Sequence, residues 1–224
     1  ILYRAHYALI RNPLITSYGL NTSALFGFSN HLIKILKDEK PDFLVCAFDS
    51  KEKTFRHKLY SEYKANRPEM PIELQEQLPH LWELLETMNI TVLRKPGFEA
   101  DDIIGTITDM AQNQEIESYI VSGDKDFMQL INEKIFLYSP GKRNSPPDIY
   151  DIDGVVEKWG LPPENIIDLL ALMGDSSDNV PGVAGVGVKT AVKLLNEFQS
   201  LNNILDNADK VKNKRVHDGL INCR

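Results

Sequence analysis

The chain has 224 residues, of which 42% are hydrophobic and 25% are charged, so it is long enough to bury a real core. Its net charge of -7 does not exclude nucleic acid as a partner, because binding to a polyanion depends on local basic patches. Two cysteines, Cys46 and Cys223, exclude a disulfide framework, and no apolar run resembles a membrane span or a cleaved signal. We therefore expect a cytoplasmic protein without a membrane partner.

The first residues carry few structural signals. The chain opens at Ile1 without a methionine and stops at Arg224 without a helix-ending signal, so we expect a fragment at both ends. His6 has no second histidine or cysteine at ligand spacing, which favours a packed or surface histidine. Apolar residues then recur at three- and four-residue steps over residues 22–38, which predicts a helix.

Short apolar runs of the kind found in buried parallel strands follow along the chain. They cover residues 42–48, 90–93, 118–121 and 134–138. Helical patterns separate the first three runs, one over residues 73–88 with an expected kink at Pro79 and one from GFEADD to about residue 112. This alternation predicts an α/β fold with a mainly parallel sheet and helices on both faces.

A loop of proline, glycine and polar residues, PGKRNSPP at residues 140–147, marks the predicted domain boundary. Beyond it the pattern is helical, over residues 152–159 and 163–173. We therefore expect an α/β domain over residues 1–147 and an all-helical domain over residues 148–224.

Eight carboxylates stand just beyond predicted strands or in later turns. In open parallel sheets, ligands bind outside the carboxyl ends of the strands, so acids from three connections are expected at one edge. Two further acids would come from the second domain. The eight are Asp49, Glu99, Asp101, Asp102, Asp124, Asp126, Asp175 and Asp178. Two plainer interpretations stay open: ordinary acids at a helix N-terminus in GFEADD, and a solvated acidic edge for the whole set.

Acids this close would repel one another and raise one another's pKa values, and most of them have no lysine or arginine beside them. Divalent cations would resolve this conflict. Oxygen ligands without histidine or cysteine favour Mg²⁺ or Mn²⁺ over Zn²⁺. More acids than one ion can use predicts two ions, about 4 Å apart, which is an arrangement that cleaves phosphodiesters.

Residues 50–67 form a basic stretch directly after Asp49. It carries six cations against two acids, with aromatic residues between them. The cations are Lys51, Lys53, Arg56, Lys58, Lys64 and Arg67, and the aromatics are Phe55, Tyr60 and Tyr63. Beside an acidic edge, such cations would contact phosphate oxygens, and the aromatics could stack on unpaired bases. The alternative is a solvated amphipathic helix whose aromatics face the core.

The segment PGVAGVGVKTAVKLL, residues 181–195, leads into a predicted helix that carries Lys189. Gly182, Gly185 and Gly187 would let a backbone approach closely and would leave helix N-terminal N–H groups open to a phosphate. No strand precedes the segment, which argues against a dinucleotide-binding fold. Helices precede it instead, which favours a helix-hairpin-helix that holds DNA backbone without reading sequence.

Four segments in this order, FDSKEKTFRHKLYSEYKANRP, GFEADD, VSGDKDFMQL and GDSSDNVPGVAGVGVKTAVKLL, together resemble the 5′-nuclease family. The resemblance is to the 5′–3′ exonuclease domain of bacterial DNA polymerase I, which is related to phage 5′-exonucleases and flap endonucleases. It implies a PIN-like α/β nuclease domain with a helical arch at about residues 50–75. It also implies a helix-hairpin-helix domain, which in many members binds a monovalent cation such as K⁺.

The resemblance further implies an activity and a substrate. A monomer would cleave 5′ flaps and 5′ ends of DNA, including RNA primer–DNA junctions, during primer removal and repair. The eight acids resemble the ligands of two Mg²⁺ or Mn²⁺ ions, with Asp49 and Asp124 as catalytic residues.

The resemblance also assigns residues that contact DNA. Lys64 and Arg67 resemble the arch cations that position the scissile phosphate, with Tyr63 beside them for stacking. The remaining contacts that it implies are Arg4, Arg56, Gly185, Gly187 and Lys189.

One departure from the family matters. The family has a first strand that ends in Asp-Gly just upstream of the segment resembling ILYRAHYA, and that Asp is a metal ligand. The chain starts after this strand, so it is expected to be either truncated or an impaired nuclease. The impaired form would be a DNA-junction-binding protein. A PIN-like ribonuclease is a third hypothesis, against which the hairpin segment argues.

Overall fold

The computed structural model describes residues 1–141 and 145–223. The middle of the predicted 140–147 loop and Arg224 lie outside these described residues. The chain forms two compact units, which are described separately. The first contains residues 1–52 and 68–103, and the second contains residues 53–67 and 104–224.

The α-helices are, in chain order, α1 Leu2–Ala8, α2 Ser23–Asp38, α3 Phe55–Leu59, α4 Ile72–Gln75, α5 Leu78–Thr87, α6 Ala100–Gln112, α7 Ile152–Trp159, α8 Ile166–Met173, α9 Val188–Phe198, α10 Leu201–Asp206 and α11 Lys214–Asn222. The strands are β1 Val45–Ala47, β2 Thr91–Leu93, β3 Ser118–Val121, β4 Ile135–Ser139, β5 Asp148–Tyr150, β6 Gly174–Asp175 and β7 Val180–Pro181. Short 3₁₀ helices cover Lys125–Leu130, Pro163–Asn165 and Ala208–Lys210. None of the helices in the described ranges combines the length and the apolar character needed to cross a bilayer.

The strands confirm the predicted α/β class. In the first unit, β1 and β2 are parallel, with Ala47 opposite Leu93. In the second unit, β3 and β4 are parallel, and β5 lies antiparallel on the far side of β4. The expectation that the chain is purely helical after residue 147 was wrong, because β5 extends this sheet. Three residues with one partner strand are too short a run to show a strand pattern in the sequence.

The core of the first unit lies between α2 and α5. Phe28 and Leu32 of α2 are buried against Leu81 and Leu85 of α5. Helix α1 packs on α2 at Gly27, where a β-carbon would lie 2.6 Å from the Cβ of Ala5. His6 on α1 is buried, in agreement with the expected packed histidine.

The helix predicted over residues 73–88 is interrupted. It consists of α4 and α5, and Pro79 lies in the first turn of α5 instead of kinking a continuous helix. A proline in the first turn removes an N–H that has no helical partner there, so it starts a helix at little cost. The buried Gln77 lies between the pieces, where its side-chain amide donates to the Glu73 carbonyl oxygen of α4 and its amide oxygen accepts the Leu25 N–H of α2 at 3.0 Å.

The core of the second unit extends from the β3–β4 sheet into helices α7 to α11. Leu137 of β4, Val155 of α7, Leu169 of α8, Leu195 of α9 and Leu220 of α11 are all buried in one apolar cluster. Helix α7 has the predicted bounds, and α8 follows a 3₁₀ turn that begins at the predicted helix start. The sequence periods therefore predicted these helices because each presents one apolar face to this cluster.

The two cysteines should differ in reactivity. Burial raises the pKa of the Cys46 thiol to about 11, whereas Cys223 is exposed. The thiolate is the nucleophile in thiol–disulfide exchange. We therefore expect Cys223 of the native chain to react quickly with a disulfide reagent at pH 8, and Cys46 to react at least tenfold more slowly. Cys223→Ser should remove the fast phase, and its persistence in that variant would contradict the assignment.

Candidate metal and nucleic-acid site

The first unit brings Asp49 to the start of α6. Strands β1 and β2 run in parallel and end side by side, so the residues after each of them emerge at one edge. One carboxylate oxygen of Asp49 accepts the backbone N–H of Ala100 at 2.8 Å. The open N–H groups and the dipole of the helix therefore hold this acid in place.

The other three acids of this unit lie at the same helix start, Asp101 and Asp102 in the first turn of α6 and Glu99 directly before it. Asp102 accepts the backbone N–H of Glu99 at 2.9 Å, in the manner of a helix-capping acid. Glu99 is buried, with 7% of its surface exposed. The interpretation of the GFEADD acids as ordinary acids at a helix N-terminus thus describes Asp102, and Asp49 binds the same helix start from outside that segment.

In the second unit, Asp124 and Asp126 follow β3. Asp124 begins a 3₁₀ helix and accepts the N–H of Asp126 at 3.0 Å. Within the described structure, the Oδ1 atom of Asp126 is buried and has no hydrogen-bond partner. Burial raises the pKa of Asp126 to about 6, and the charges of Asp124, Asp175 and Asp178 act in the same direction. Burial and these acids thus outweigh the nearby charge of Lys125, which lowers the pKa of Asp126.

Asp175 and Asp178 lie at the tip of the β6–β7 hairpin. Burial would raise the pKa of Asp175, but the hydroxyl and backbone N–H of Ser177 both donate to its carboxylate, and the pKa is lowered overall. The positive charge of Lys125 lowers the pKa of both Asp126 and Asp175. The side chain of Asp178 is only 22% exposed.

Asp178 contacts the end of the basic stretch. Residues 62–67, here the basic turn, lie against residues 176–179, here the Asp178 loop. Arg67 Nη2 lies 2.7 Å from Asp178 Oδ1, and Lys64 Nζ lies 3.8 Å from Oδ2. The Tyr63 hydroxyl donates to Oδ2 at 2.8 Å. The two cations that were assigned to the scissile phosphate are therefore already beside one acid of the predicted metal site.

The structure gives Tyr63 a different position from the one expected. A stacking platform for bases needs an exposed ring, but Tyr63 is 7% exposed and its ring packs edge-on against His57. In this conformation its hydroxyl donates to Asp178 and its ring is not exposed to a base, so a stacking role would need the ring to move and stays a prediction. The sequence could not distinguish these roles, because an exposed and a buried tyrosine look alike in a basic stretch.

The rest of the basic stretch is not the amphipathic helix that was the alternative. Helix α3 has five residues and starts at Thr54, whose side chain forms a capping box with His57. The Arg56 guanidinium lies 4.6 Å from the centre of the partly exposed Phe55 ring. A DNA contact by Arg56 stays a prediction.

Arg4 is exposed on α1. Burial lowers the pKa of His31, and the charges of Arg4, the N-terminal amino group and Lys34 lower it further. A contact of Arg4 with a phosphate also stays a prediction.

The three glycines of the hairpin segment have different structural roles. At Gly182 a β-carbon would lie 2.1 Å from the Met173 carbonyl carbon, so this glycine allows close packing. Gly185 has φ +84°, a backbone conformation that favours glycine, and it lies against the side chain of Arg215. A β-carbon at Gly187 would meet nothing within 4 Å. Gly187 therefore leaves the N-terminus of α9 open, and Lys189 is exposed on its first turn.

The fit of these residues to a metal ion can be judged from their geometry. Within residues 1–141 and 145–223, no three histidine, cysteine, aspartate or glutamate residues are already arranged to hold an ion. Asp126 nevertheless has a buried oxygen without a partner among the described residues, and three nearby acids raise the pKa of this residue. Such an oxygen is a suitable ligand for a divalent cation that binds oxygen atoms. The residues therefore fit a cation that would draw the acids together.

Several contributing residues were missed in the sequence. Lys125 stands between two predicted ligands and resembles any surface lysine. Asn66 and Asn179 connect the basic turn with the Asp178 loop, and Arg215 lies against the hairpin from a distant helix. The hydrogen bonds of Asn66 and Asn179 and the contact of Arg215 join residues that are far apart in the chain, so no local sequence pattern indicates these contacts.

Comparison with known proteins decides the family. The description "5′-3′ exonuclease, N-terminal resolvase-like domain" matches residues 1–160, and "5′-3′ exonuclease, C-terminal SAM fold" matches residues 161–224. The chain belongs to the 5′–3′ exonuclease family. This confirms the resemblance that was based on four sequence segments, and it makes the chain a member of a family of enzymes that hydrolyse DNA. The two matches meet after residue 160, and the predicted boundary at residue 147 stays a prediction.

Individual relatives agree with this assignment. The chain is 44% identical over 221 residues to DNA polymerase I of Bacillus subtilis, covering 98% of this chain and 25% of that protein. It therefore spans about a quarter of that relative's length. Bacteriophage T5 5′-exonuclease with bound zinc has a TM-score of 0.81 at 22% identity, over 98% of this chain and 80% of that chain. A complex of the T5 flap endonuclease with DNA and metal ions has a TM-score of 0.75 at 24% identity, over 87% and 74%. Identities this low show a shared fold.

The stability of the metal-free chain should depend on Asp126. Its pKa is raised to about 6 from its usual value near 3.8, so the folded state binds this proton more tightly than the unfolded state. The resulting stability is present below about pH 4 and is lost as the pH rises through 6. Asp126→Asn should therefore stabilise the chain at pH 8 by about 1 kcal/mol, a value reduced for partial exposure.

Urea unfolding in the presence of a chelator at pH 4 and pH 8 measures this effect. The difference in the free energy of unfolding between Asp126→Asn and the wild type should decrease toward pH 4. A gain of equal size at both pH values would show that the carboxylate charge is not its cause.

Proposed function

We propose that the chain is a divalent-metal-dependent, structure-specific 5′–3′ exonuclease and 5′-flap endonuclease that hydrolyses DNA during primer removal and repair. The observation that carries the proposal is the buried, partnerless oxygen of Asp126 among Asp124, Asp175 and Asp178. Uncompensated acids of this kind are unfavourable in a folded protein unless a cation binds them. Membership of the 5′–3′ exonuclease family supports the chemistry that such a cation would serve.

The metal ligands follow from the two groups of acids. In the second unit, Asp124, Asp126, Asp175 and Asp178 would hold an ion. In the first unit, the acids at the start of α6 would do so, namely Asp49, Glu99, Asp101 and Asp102. The proposal assigns two ions to these eight acids. When bound, Mg²⁺ or Mn²⁺ would supply charge stabilisation to the attacking and leaving oxygens of the phosphodiester.

The chain's own cations would bind and orient the scissile phosphate. Lys64 and Arg67 carry their charges beside Asp178, and Arg67 is half-exposed, so one face of its guanidinium can reach solvent. A phosphate oxygen that binds there would replace the Asp178 carboxylate as the partner of Lys64 and Arg67. A planar guanidinium suits this exchange, because it donates to carboxylate and phosphate in the same two-pronged geometry.

The hairpin would hold the duplex. Gly187 leaves the N–H groups of α9 open, and Lys189 and the Arg215 side chain over Gly185 add charge next to them. Such contacts bind the DNA backbone without reading bases. A K⁺ ion at this hairpin, RNA primer–DNA junctions as substrates, a monomeric state and a cytoplasmic location are further parts of the proposal.

The relatives support this assignment in their own systems. The T5 exonuclease was observed with zinc, and the T5 flap endonuclease with DNA and metal ions. The first alternative is a DNA-junction-binding protein with impaired catalysis. A Mg²⁺ titration with a 5′-flap duplex separates the two, since the alternative binds the flap and yields no product at any Mg²⁺ or Mn²⁺ concentration. A ribonuclease would instead prefer an RNA flap over a DNA flap of the same sequence.

Asp124→Asn tests the metal group directly. The asparagine oxygen can still accept the Asp126 N–H that Asp124 accepts at 3.0 Å, so the local fold should persist. We expect flap cleavage to fall by a factor on the order of 10² or more. Affinity for the flap should stay equal or increase, because the change removes a charge that repels phosphate.

Asp153→Asn is the matched control, because Asp153 is exposed on α7 and distant in sequence from these acids. Cleavage rates under single-turnover conditions and fluorescence anisotropy of a labelled flap measure the two effects. Wild-type turnover in Asp124→Asn would remove Asp124 from the site.

Two glycines of the hairpin should respond oppositely to alanine. Gly187→Ala meets open space, so stability should change by no more than about 1 kcal/mol, while the methyl group should weaken DNA binding several-fold by blocking the start of α9. Gly182→Ala drives a methyl group into the Met173 backbone and should cost about 3 kcal/mol or more. Thermal unfolding and flap affinity measure both; unchanged affinity in Gly187→Ala would exclude this end of α9 from the interface.

A further inference from the structure

Two asparagines connect the basic turn and the Asp178 loop, one from each side. Asn66 donates its side-chain amide to the carbonyl oxygen of Ser176 at 3.1 Å. Asn179 donates its side-chain amide to the carbonyl oxygen of Glu62 at 2.7 Å. Each amide thus satisfies a carbonyl of the other segment, more than a hundred residues away in the chain.

The backbone takes part in the same contact. The Lys64 N–H donates to the Asp178 carbonyl oxygen at 2.9 Å, and the Nε of Arg67 donates to the Ser177 carbonyl oxygen at 3.3 Å. Lys64 has φ +56°, a conformation that side chains rarely adopt. Contacts outside the turn must therefore hold Lys64 in this conformation, because the local chain does not favour it.

The charged contacts alone could not define this geometry. Lys64 and Arg67 have long, flexible side chains, and the Arg67 pair is partly exposed, so its net contribution is small. Both cations would also have to exchange Asp178 for phosphate when DNA binds. A turn held only by these charges would lose its anchor at that step. The asparagine amides donate to backbone carbonyls, and these bonds do not change when a charge changes partner.

We infer that Asn66 and Asn179 are positioning residues, which dock the basic turn on the Asp178 loop so that Lys64 and Arg67 stand ready for a DNA phosphate. This inference rests on the proposed function for its consequence in catalysis. The docking itself is a property of the chain without DNA. The two can therefore be tested independently.

Hydrogen exchange of the Lys64 amide, followed by NMR without DNA, tests the docking. Asn66→Ala removes one amide, and Asn179→Gly removes the other while keeping a residue that tolerates the φ of +58° found there. Each variant should raise the Lys64 exchange rate roughly threefold to tenfold, and the double variant should multiply the two effects. Asn113→Ala is the matched control, because Asn113 is exposed just after the end of α6 and its side chain bonds at 3.4 Å to Asp109 of that helix. Exchange at Lys64 that equals the wild-type rate in the double variant would overturn the docking.

Flap cleavage tests the consequence for catalysis. In the double variant we expect kcat to fall at least tenfold while KM changes less than threefold, since the hairpin contacts that bind the duplex are intact. Asn113→Ala should keep wild-type values, and an unchanged thermal midpoint of the double variant would show that the fold persists. Wild-type kcat in a double variant with fast Lys64 exchange would overturn the positioning role. Absence of cleavage by the wild-type chain would refute the proposed function, and the exchange result would still decide the docking.

Discussion

Repulsion between carboxylates is the constraint on which the rest of this structure depends. The chain gathers acids at strand ends, and each gathering needs positive partners. At the start of α6 the partners are backbone N–H groups, which hold Asp49 and Asp102. At the hairpin tip they are Ser177, Lys125 and the residues of the basic turn. Asp126 is left with a buried oxygen that has no hydrogen-bond partner among the residues that the structure describes, and a divalent cation would supply one.

The same constraint explains the basic stretch. Its last six residues have little regular structure, and their order comes from contacts with the distant Asp178 loop. Tyr63 is buried there with its hydroxyl donating to the Asp178 carboxylate. Lys64 has a left-handed backbone conformation in which its N–H donates to the Asp178 carbonyl oxygen. The cations that are proposed to contact phosphate are thus placed by Asp178, an acid of the proposed metal site. The basic turn and the acidic loop are best understood as one functional element.

Regular elements were largely predictable from the sequence. The helical patterns of α2, α6 and α7 and the apolar run of β3 matched the structure closely, because each element buries one face against a continuous core. The failures had local physical causes. Pro79 starts a helix where it was expected to bend one, and the short strand β5 owes its existence to the neighbouring β4.

By itself, the sequence determined the family, the α/β class, the candidate acids and the glycine-rich hairpin, because these depend on residue type, spacing and order along the chain. Tertiary structure decided which groups the acids and cations contact. It assigned Asp49 and Asp102 to a helix start, Tyr63 to Asp178, Gly182 to packing and Asn66 and Asn179 to docking. These roles depend on distances between residues far apart in the chain, and such distances exist only after the core has brought their backbones together.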